Sequence, residues 1–295
     1  MADAVREAGR RLRDADVTRS PRLDAELLLA EAIGSSRAEL FRDPGRELDP
    51  EEATRFEDLM ARRLAREPVA YILGRRAFRT IELEVTPDVL VPRPETETLV
   101  DVALEALAAM PIAGPDPEDE PLALDVGTGS GCIALALVAE DAFVRLVATD
   151  IEPGALAVAR RNAARLGFAR RVEFVLSDLF ADVGVRPFDL VVSNPPYIPA
   201  DEYVALEPNV RDYEPRLALY GGVDGLDVYR RLVPGAALLL RPGGTLALEV
   251  GAGQADDVAG IMAAAGAYET PERRSDLSGV PRVVFARRRG GRRGS

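Results

Sequence analysis

Apolar residues recur at helical spacing along the first quarter of the chain. Ser20-Pro21 reads as a cap followed by a first helical position. Leu23, Leu27 and Leu28 then run toward a stop at Gly34, which predicts an amphipathic helix. Asp49-Pro50-Glu51-Glu52 predicts a second helix start, with Phe56, Leu59, Met60 and Leu64 along one face. No catalytic constellation falls within residues 1–74, so a small all-α domain serving packing or recognition is expected there. The period changes after Gly74. Phe78, Ile81, Leu83 and Val85 carry a two-residue alternation, followed by Pro87, Pro92 and Pro94, which predicts a short strand or hairpin over residues 75–94 joining two domains. Residues 95–110 return to helical spacing, and the Pro- and acid-rich stretch from Pro111 to Pro121 predicts an exposed loop.

Beyond Pro121 strands and helices alternate. Residues 122–126, 144–150, 171–178, 188–194 and 244–250 read as strands, with helical stretches at 131–140 and 153–166. That order predicts an α/β domain over residues 95–288, a parallel doubly wound sheet covered on both faces. Residues 289–295 are expected to form a flexible basic tail. The cluster Arg287, Arg288, Arg289, Arg292 and Arg293 in this Gly-rich end is expected to be solvated.

Composition narrows the chemistry more than the class. A chain of 295 residues is long enough for two domains of ordinary size. It has no His, no Trp and no Lys, so all 37 basic residues are Arg. A His general base, a Lys Schiff base, a P-loop lysine and a His-rich zinc site are therefore excluded. Cys132 alone builds neither a disulfide nor a thiolate metal site and fits a reducing cytoplasm. No run approaches the ~20 apolar residues that cross a bilayer. The first residues mix Arg with Asp and Glu and show no secretory signal. A cytoplasmic protein without a membrane partner is expected. The net charge of −12 has the wrong sign for broad binding to nucleic acid.

The first strand of the α/β region runs into Asp125-Val126-Gly127-Thr128-Gly129-Ser130-Gly131 and then a helix. Glycines at such a turn let backbone pass close to a nucleotide-type ligand at the carboxyl edge of the sheet. The spacing is G-x-G-x-G, and the third glycine of a dinucleotide fingerprint is replaced by Cys132, which weakens the case for a pyrophosphate. Asp125, two places before the first glycine, suits the ammonium of S-adenosylmethionine. Asp150 ends the next strand, where a carboxylate can accept both ribose hydroxyls. Asp178 ends the third and suits the adenine amino group, with Leu179 or Phe180 against the ring. Taken singly, each Asp also suits a helix N-cap.

The fourth strand ends in Asn194-Pro195-Pro196-Tyr197. The prolines stiffen the loop and remove two donors, so the Asn194 side-chain oxygen and the Pro195 carbonyl are free to accept from outside. A planar NH2 group offers two matching donors. Holding both aims the nitrogen lone pair at a methyl sulfonium, and the two dipoles stabilise the charge that develops. Tyr197 is expected to wall or stack the planar group. The same residues also suit a rigid turn after a strand.

The motif D-x-G-T-G-S-G from Asp125, the later NPPY and Pro92-Arg93-Pro94-Glu95-Thr96-Glu97 together resemble the release factor glutamine methyltransferases. So do Glu214-Pro215-Arg216-Leu217-Ala218-Leu219 with Gly221-Gly222, and Arg66-Glu67-Pro68 with Tyr71-Ile72-Leu73-Gly74. The resemblance covers nearly the whole chain. It implies a class I S-adenosylmethionine-dependent methyltransferase domain with a Rossmann-like doubly wound sheet, behind a helical N-terminal domain and a hairpin linker. It implies as substrate the glutamine amide in the GGQ tripeptide of class I peptide chain release factors. Gly127 to Gly131, Asp150, Asp178, Leu179 and Asn194 are then expected to hold the cofactor, and Asn194 to Tyr197 the glutamine. NPPY also occurs in enzymes that methylate exocyclic amines of nucleic acid bases. That reading, a ribosomal-protein glutamine methyltransferase and a non-catalytic cofactor-binding protein remain alternatives.

Overall fold

A computed structural model describes residues 1–110, 120–141, 143–184 and 186–290. The expected loop from Pro111 lies outside these residues except for Glu120 and Pro121. The chain divides into two compact units, one of Met1–Arg75 with Leu206–Tyr213, the other of Arg76–Ala205 with Glu214–Ser295.

The first unit begins with five helices, α1 (Ala2–Asp14), α2 (Pro21–Ala32), α3 (Arg37–Leu40), α4 (Pro50–Leu64) and α5 (Val69–Leu73). Leu12, Leu28, Leu29 and Met60 meet in its core and are fully buried. At α4 the Glu52 amide donates to the Asp49 carboxylate and the Asp49 amide to the Glu52 carboxylate, a complete capping box. Ser20 occupies the cap position of α2, yet its side chain makes no cap bond. The amphipathic expectation for α2 needs correction: Leu23 is exposed, whereas Asp24 and Glu26 are buried. α1 and α4 both pack on α2, so little of its circumference is left to solvent. Asp24 survives burial because Arg63 reaches it at 2.9 Å and spends another N–H on the Val17 carbonyl.

The second unit opens with a hairpin, β1 (Arg75–Phe78) and β2 (Ile81–Glu84). A 3-10 turn at Pro94–Thr96 leads into α6 (Glu97–Ala108). Strand and helix then alternate as β3 (Leu122–Val126), α7 (Cys132–Glu140), β4 (Arg145–Asp150), α8 (Pro153–Arg165), β5 (Val172–Leu176) and β6 (Phe188–Ser193). Short helices α9 (Ala200–Ala205), α10 (Pro208–Arg211, within the first unit) and α11 (Arg216–Leu219) follow. After them come α12 (Asp227–Leu239), β7 (Leu240–Glu249), α13 (Ala255–Ala264), β8 (Glu272–Ser275) and β9 (Pro281–Arg287).

The large sheet has the order β5-β4-β3-β6-β7-β9-β8. Two apolar cores cover its faces: one includes residues of α6 and α7, the other residues of α12 and α13. Five strands are parallel, but β9 runs antiparallel to β7 and to β8. The sheet is thus mixed rather than wholly parallel. The reason is local. Asp276 accepts from the Ser278 and Val280 amides in a tight turn, and so short a connection between β8 and β9 returns the chain antiparallel. The basic cluster is also corrected in part. Arg287 closes β9, and Arg288 and Arg289 donate to the Leu240 and Tyr268 carbonyls, while Arg292 and Arg293 lie outside the described residues. No helix among the described residues is long and apolar enough to cross a membrane.

Candidate active site

Strand order fixes where a ligand can sit. From β3 the chain builds outward through β4 and β5, then returns to place β6 on the other side of β3. The loops leaving β3 and β6 therefore diverge, which opens a crevice at their carboxyl ends. Val126 pairs with Ser193 across β3 and β6, so the glycine loop and the NPPY loop emerge side by side. A cleft of about 280 Å³ lies there. Its walls include Gly127 to Ser130, Asp150, Asp178, Leu179 and Asn194 to Pro196.

The glycine loop is bare toward the cleft. Gly127 and Gly129 have φ of +74° and +55°, and a Cβ built at either meets nothing within 4 Å. Both glycines thus supply a left-handed backbone and leave room for a ligand against it. The loop is pinned from below. The Gly127 and Thr128 amides donate to the Thr149 carbonyl at 2.9 and 2.8 Å. The Asn162 amide donates to the Ser130 carbonyl at 2.9 Å and to the Glu84 carbonyl at 3.0 Å, and its oxygen accepts from the Glu84 amide at 2.7 Å. One buried side chain from α8 thereby ties the loop to the hairpin.

Three strand-end carboxylates take different stations. Asp150 accepts from the Gly129 amide at 2.9 Å through one oxygen and from the Glu152 amide at 3.0 Å through the other. Burial raises its pKa against these bonds. It lines the cleft, and each oxygen keeps a lone pair for a hydroxyl. Asp178 also lines the cleft, but Arg231 of α12 already holds it at 2.7 Å. Leu179, at φ +55°, is the apolar wall beside it, while Phe180 turns away to pack against Gly235. Asp125 departs from expectation. It is fully buried, forms no part of the cleft wall, and accepts from the Thr128 hydroxyl at 2.7 Å and the Ala134 amide at 3.3 Å. Burial lifts it to about 7. It braces the loop that a ligand ammonium would approach, rather than facing that ammonium.

At the NPPY loop the Asn194 amide nitrogen donates to the Thr96 hydroxyl at 3.2 Å, which leaves its oxygen for the cleft. Among the described residues no backbone donor reaches the Pro195 carbonyl. A second loop braces this one: the Ile198 amide donates to Leu219 O and the Gly221 amide to Ile198 O, each at 2.9 Å. A Cβ on Gly221 would lie 2.7 Å from the Pro196 carbonyl, so only glycine permits that approach. The Gln254 amide holds the Tyr197 carbonyl at 2.9 Å. Tyr197 is the second departure. Its ring packs at the fringe of the α12–α13 core and does not line the cleft, and burial pushes its hydroxyl up to about 12.

Sequence reasoning missed Thr96, Asn162, Arg231 and Glu249. Glu249 carried the same signal as the three Asp residues, an acid at the end of a predicted strand. Thr96 stood inside the Pro92–Glu97 motif with no role assigned to it, and Asn162 and Arg231 gave no signal.

The cleft suits S-adenosylmethionine on structural grounds. Bare glycines back it, a carboxylate with spare acceptors stands at the β4 end, and Ser130 Oγ is buried in its wall with no hydrogen-bond partner among the described residues.

Residues 3–74 match the family described as the PrmC N-terminal domain, and residues 100–207 match the methyltransferase small domain. The chain is 49% identical over 286 residues to a release factor glutamine methyltransferase of Cereibacter sphaeroides, covering 97% of this chain and 98% of that one. It is 45% identical over 266 residues to another of Geobacter sulfurreducens, covering 90% and 89%. Among solved structures, a methyltransferase from Pyrococcus furiosus superposes with a TM-score of 0.50 at 20% identity, covering 79% of this chain and 100% of that one, a likeness of fold alone.

Proposed function

The chain belongs to the release factor glutamine methyltransferases, and from that premise we propose that it methylates the side-chain amide nitrogen of the GGQ glutamine in class I peptide chain release factors. Bound S-adenosylmethionine supplies an electrophilic methyl group on a sulfonium. Everything else falls to this chain's own residues. The observation that carries the reading is the Asn194 amide, whose nitrogen is committed to Thr96 so that its oxygen is left to accept. That oxygen and the Pro195 carbonyl take the two N–H groups of the glutamine amide. The nitrogen is thereby fixed with one face of its π system toward the methyl group. Both dipoles point their negative ends at the nitrogen on which positive charge grows. No base is needed before transfer, because the amide proton becomes acidic only after alkylation. A chain without His or Lys can therefore run this reaction.

Gly127 to Ser130, Asp150, Asp178 and Leu179 hold the cofactor in this reading, while Gly131, expected with them, lies outside the cleft wall and turns the loop into α7. The helical N-terminal unit serves as a docking surface for the factor, and the enzyme works in the cytoplasm. The net charge of −12 supports a protein substrate over nucleic acid. The test is methyl transfer from labelled S-adenosylmethionine to an unmodified release factor, to the same factor with its GGQ glutamine replaced, and to duplex DNA. Label on the intact factor alone is expected; label on DNA overturns the substrate. Asn194→Ala should still bind cofactor while transfer falls by about 10²–10³-fold.

A further inference from the structure

Asn194 carries the acceptor only if its amide is held in one of two flips. The structure contains a device for choosing between them. Thr96 lies where the Pro94–Thr96 turn runs into α6, and its side chain makes no bond to the helix end. Its hydroxyl is buried and accepts from the Asn194 amide at 3.2 Å, and the Glu249 carboxyl lies beside it. Glu249 ends β7, beside β6. Ser193 pairs with Leu248 in that register, which brings Glu249 level with Asn194. It is 1% exposed, and its Oε2 has no hydrogen-bond partner among the described residues. The Tyr229 hydroxyl donates to its backbone carbonyl at 2.7 Å and fixes the strand end.

We propose that Thr96 and Glu249 are positioning residues for methyl transfer, a directional hydrogen-bond chain from Asn194 to Thr96 to Glu249 that locks the Asn194 oxygen toward the substrate nitrogen. An ionised carboxylate only accepts, so the Thr96 proton points to Glu249 and the Thr96 lone pair faces Asn194. A lone pair attracts the NH2 end of Asn194 and repels its oxygen. The flip that would present an NH2 group to the substrate NH2 is thereby disfavoured. This inference rests on the acceptor reading of Asn194 given above.

The surroundings of Glu249 set its charge. Arg282 of β9, Arg93 and Glu95 before α6, Tyr197, Tyr229 of α12 and Cys132 of α7 are near enough to interact with its charge. Burial raises its pKa to about 7 despite the two arginines. Once protonated, Glu249 can donate to Thr96, and the chain loses its single direction.

Cofactor affinity, kcat and KM for a release factor are measured in the wild type, Thr96→Val, Thr96→Ser and Glu249→Gln. Thr96→Val keeps the shape and deletes the relay, and kcat should fall on the order of 10- to 100-fold with KM little changed. Thr96→Ser should recover most of that loss. Glu249→Gln, which can both donate and accept, should lower kcat and abolish the fall of the wild-type rate on the acid side of about pH 7. Wild-type kcat in Thr96→Val, or an acid limb unchanged in Glu249→Gln, overturns the inference. Absence of transfer by the wild-type enzyme instead overturns the proposed substrate.

Discussion

Asn162 offers the sharpest test of how the cofactor loop is held. It is fully buried on α8 and makes four hydrogen bonds, two to the backbone of Glu84 at the end of the hairpin, one to the Ser130 carbonyl of the glycine loop and one accepted from Arg165 at 3.3 Å. Asn162→Ala removes all four, the last from a side chain that solvent can also satisfy. The Ser130 carbonyl is left buried without this partner, at about 1–3 kcal/mol, while each half-buried bond to Glu84 contributes about 0.5–1.5 kcal/mol. A total near 3 kcal/mol lowers Tm by roughly 6–12 °C in a domain of this size. Asn162→Asp should be worse, because it keeps the acceptor for the Glu84 amide but turns lone pairs toward two carbonyls. Thermal unfolding with and without S-adenosylmethionine reads both effects. The loosened loop should also shrink the ligand-induced rise in Tm, since that rise follows affinity for the folded state. A Tm within about 2 °C of wild type for both variants refutes the reasoning.

The glycines separate two roles. Gly129→Ala places its methyl in the open cleft, so it should weaken cofactor binding by titration while costing only the ~1–2 kcal/mol of a left-handed residue. Gly131→Ala, whose Cβ meets Leu135 Cδ1 at 3.0 Å, should lose more thermal stability than Gly129→Ala. Asp125, raised by burial to about 7, keeps a proton that the unfolded chain loses near pH 4, so its contribution to stability falls as pH rises through that window. Asp125→Asn should therefore gain on the wild type between about pH 4 and 7, and a constant Tm difference across that range counts against it. Glu214 is buried with Arg93 at 2.6 Å and the Val91 amide at 3.2 Å. Arg93→Ala strands that carboxylate and should cost about 1–3 kcal/mol by chemical denaturation, more than Glu214→Gln, which keeps an acceptor for Val91.

Much of this was legible because the chain announces it locally. The five parallel strands were marked by short apolar runs, and β4 ended in Asp150 while β6 ran into Asn194, residue types that strand interiors avoid. The glycine loop was legible from spacing, since three glycines between a strand and a helix have few other uses. The side on which each carboxylate works was not. Asp125 and Asp150 look alike in sequence, yet one lies beneath the loop and the other in the cleft wall, a difference set by the pairing of Asp125 with Ala148 and of Asp150 with Leu176. Tyr197 was misplaced for a related reason. The two prolines fix the backbone before it, but the ring direction depends on Gly251, whose Cβ would lie 3.0 Å from the Tyr197 ring. The β8–β9 hairpin was missed because Glu272-Arg273-Arg274-Ser275 has no apolar alternation to read.

The departures share a physical logic. Planar amides are weak nucleophiles, and a site built of carbonyl acceptors contributes only if its dipoles cannot turn. The loops that carry the acceptors are therefore held by groups from other elements: Asn194 by Thr96, the chain beyond Pro196 by Gln254 at the Tyr197 carbonyl, the glycine loop by Asn162 and Asp125. One of these braces, Asp125, and Glu249 behind Thr96 are buried carboxyls lifted to about 7. Burial that costly persists where a single hydrogen-bond direction matters more than the local free energy. A hydrocarbon at either position would pack more cheaply and would leave the loop above it free to choose its orientation.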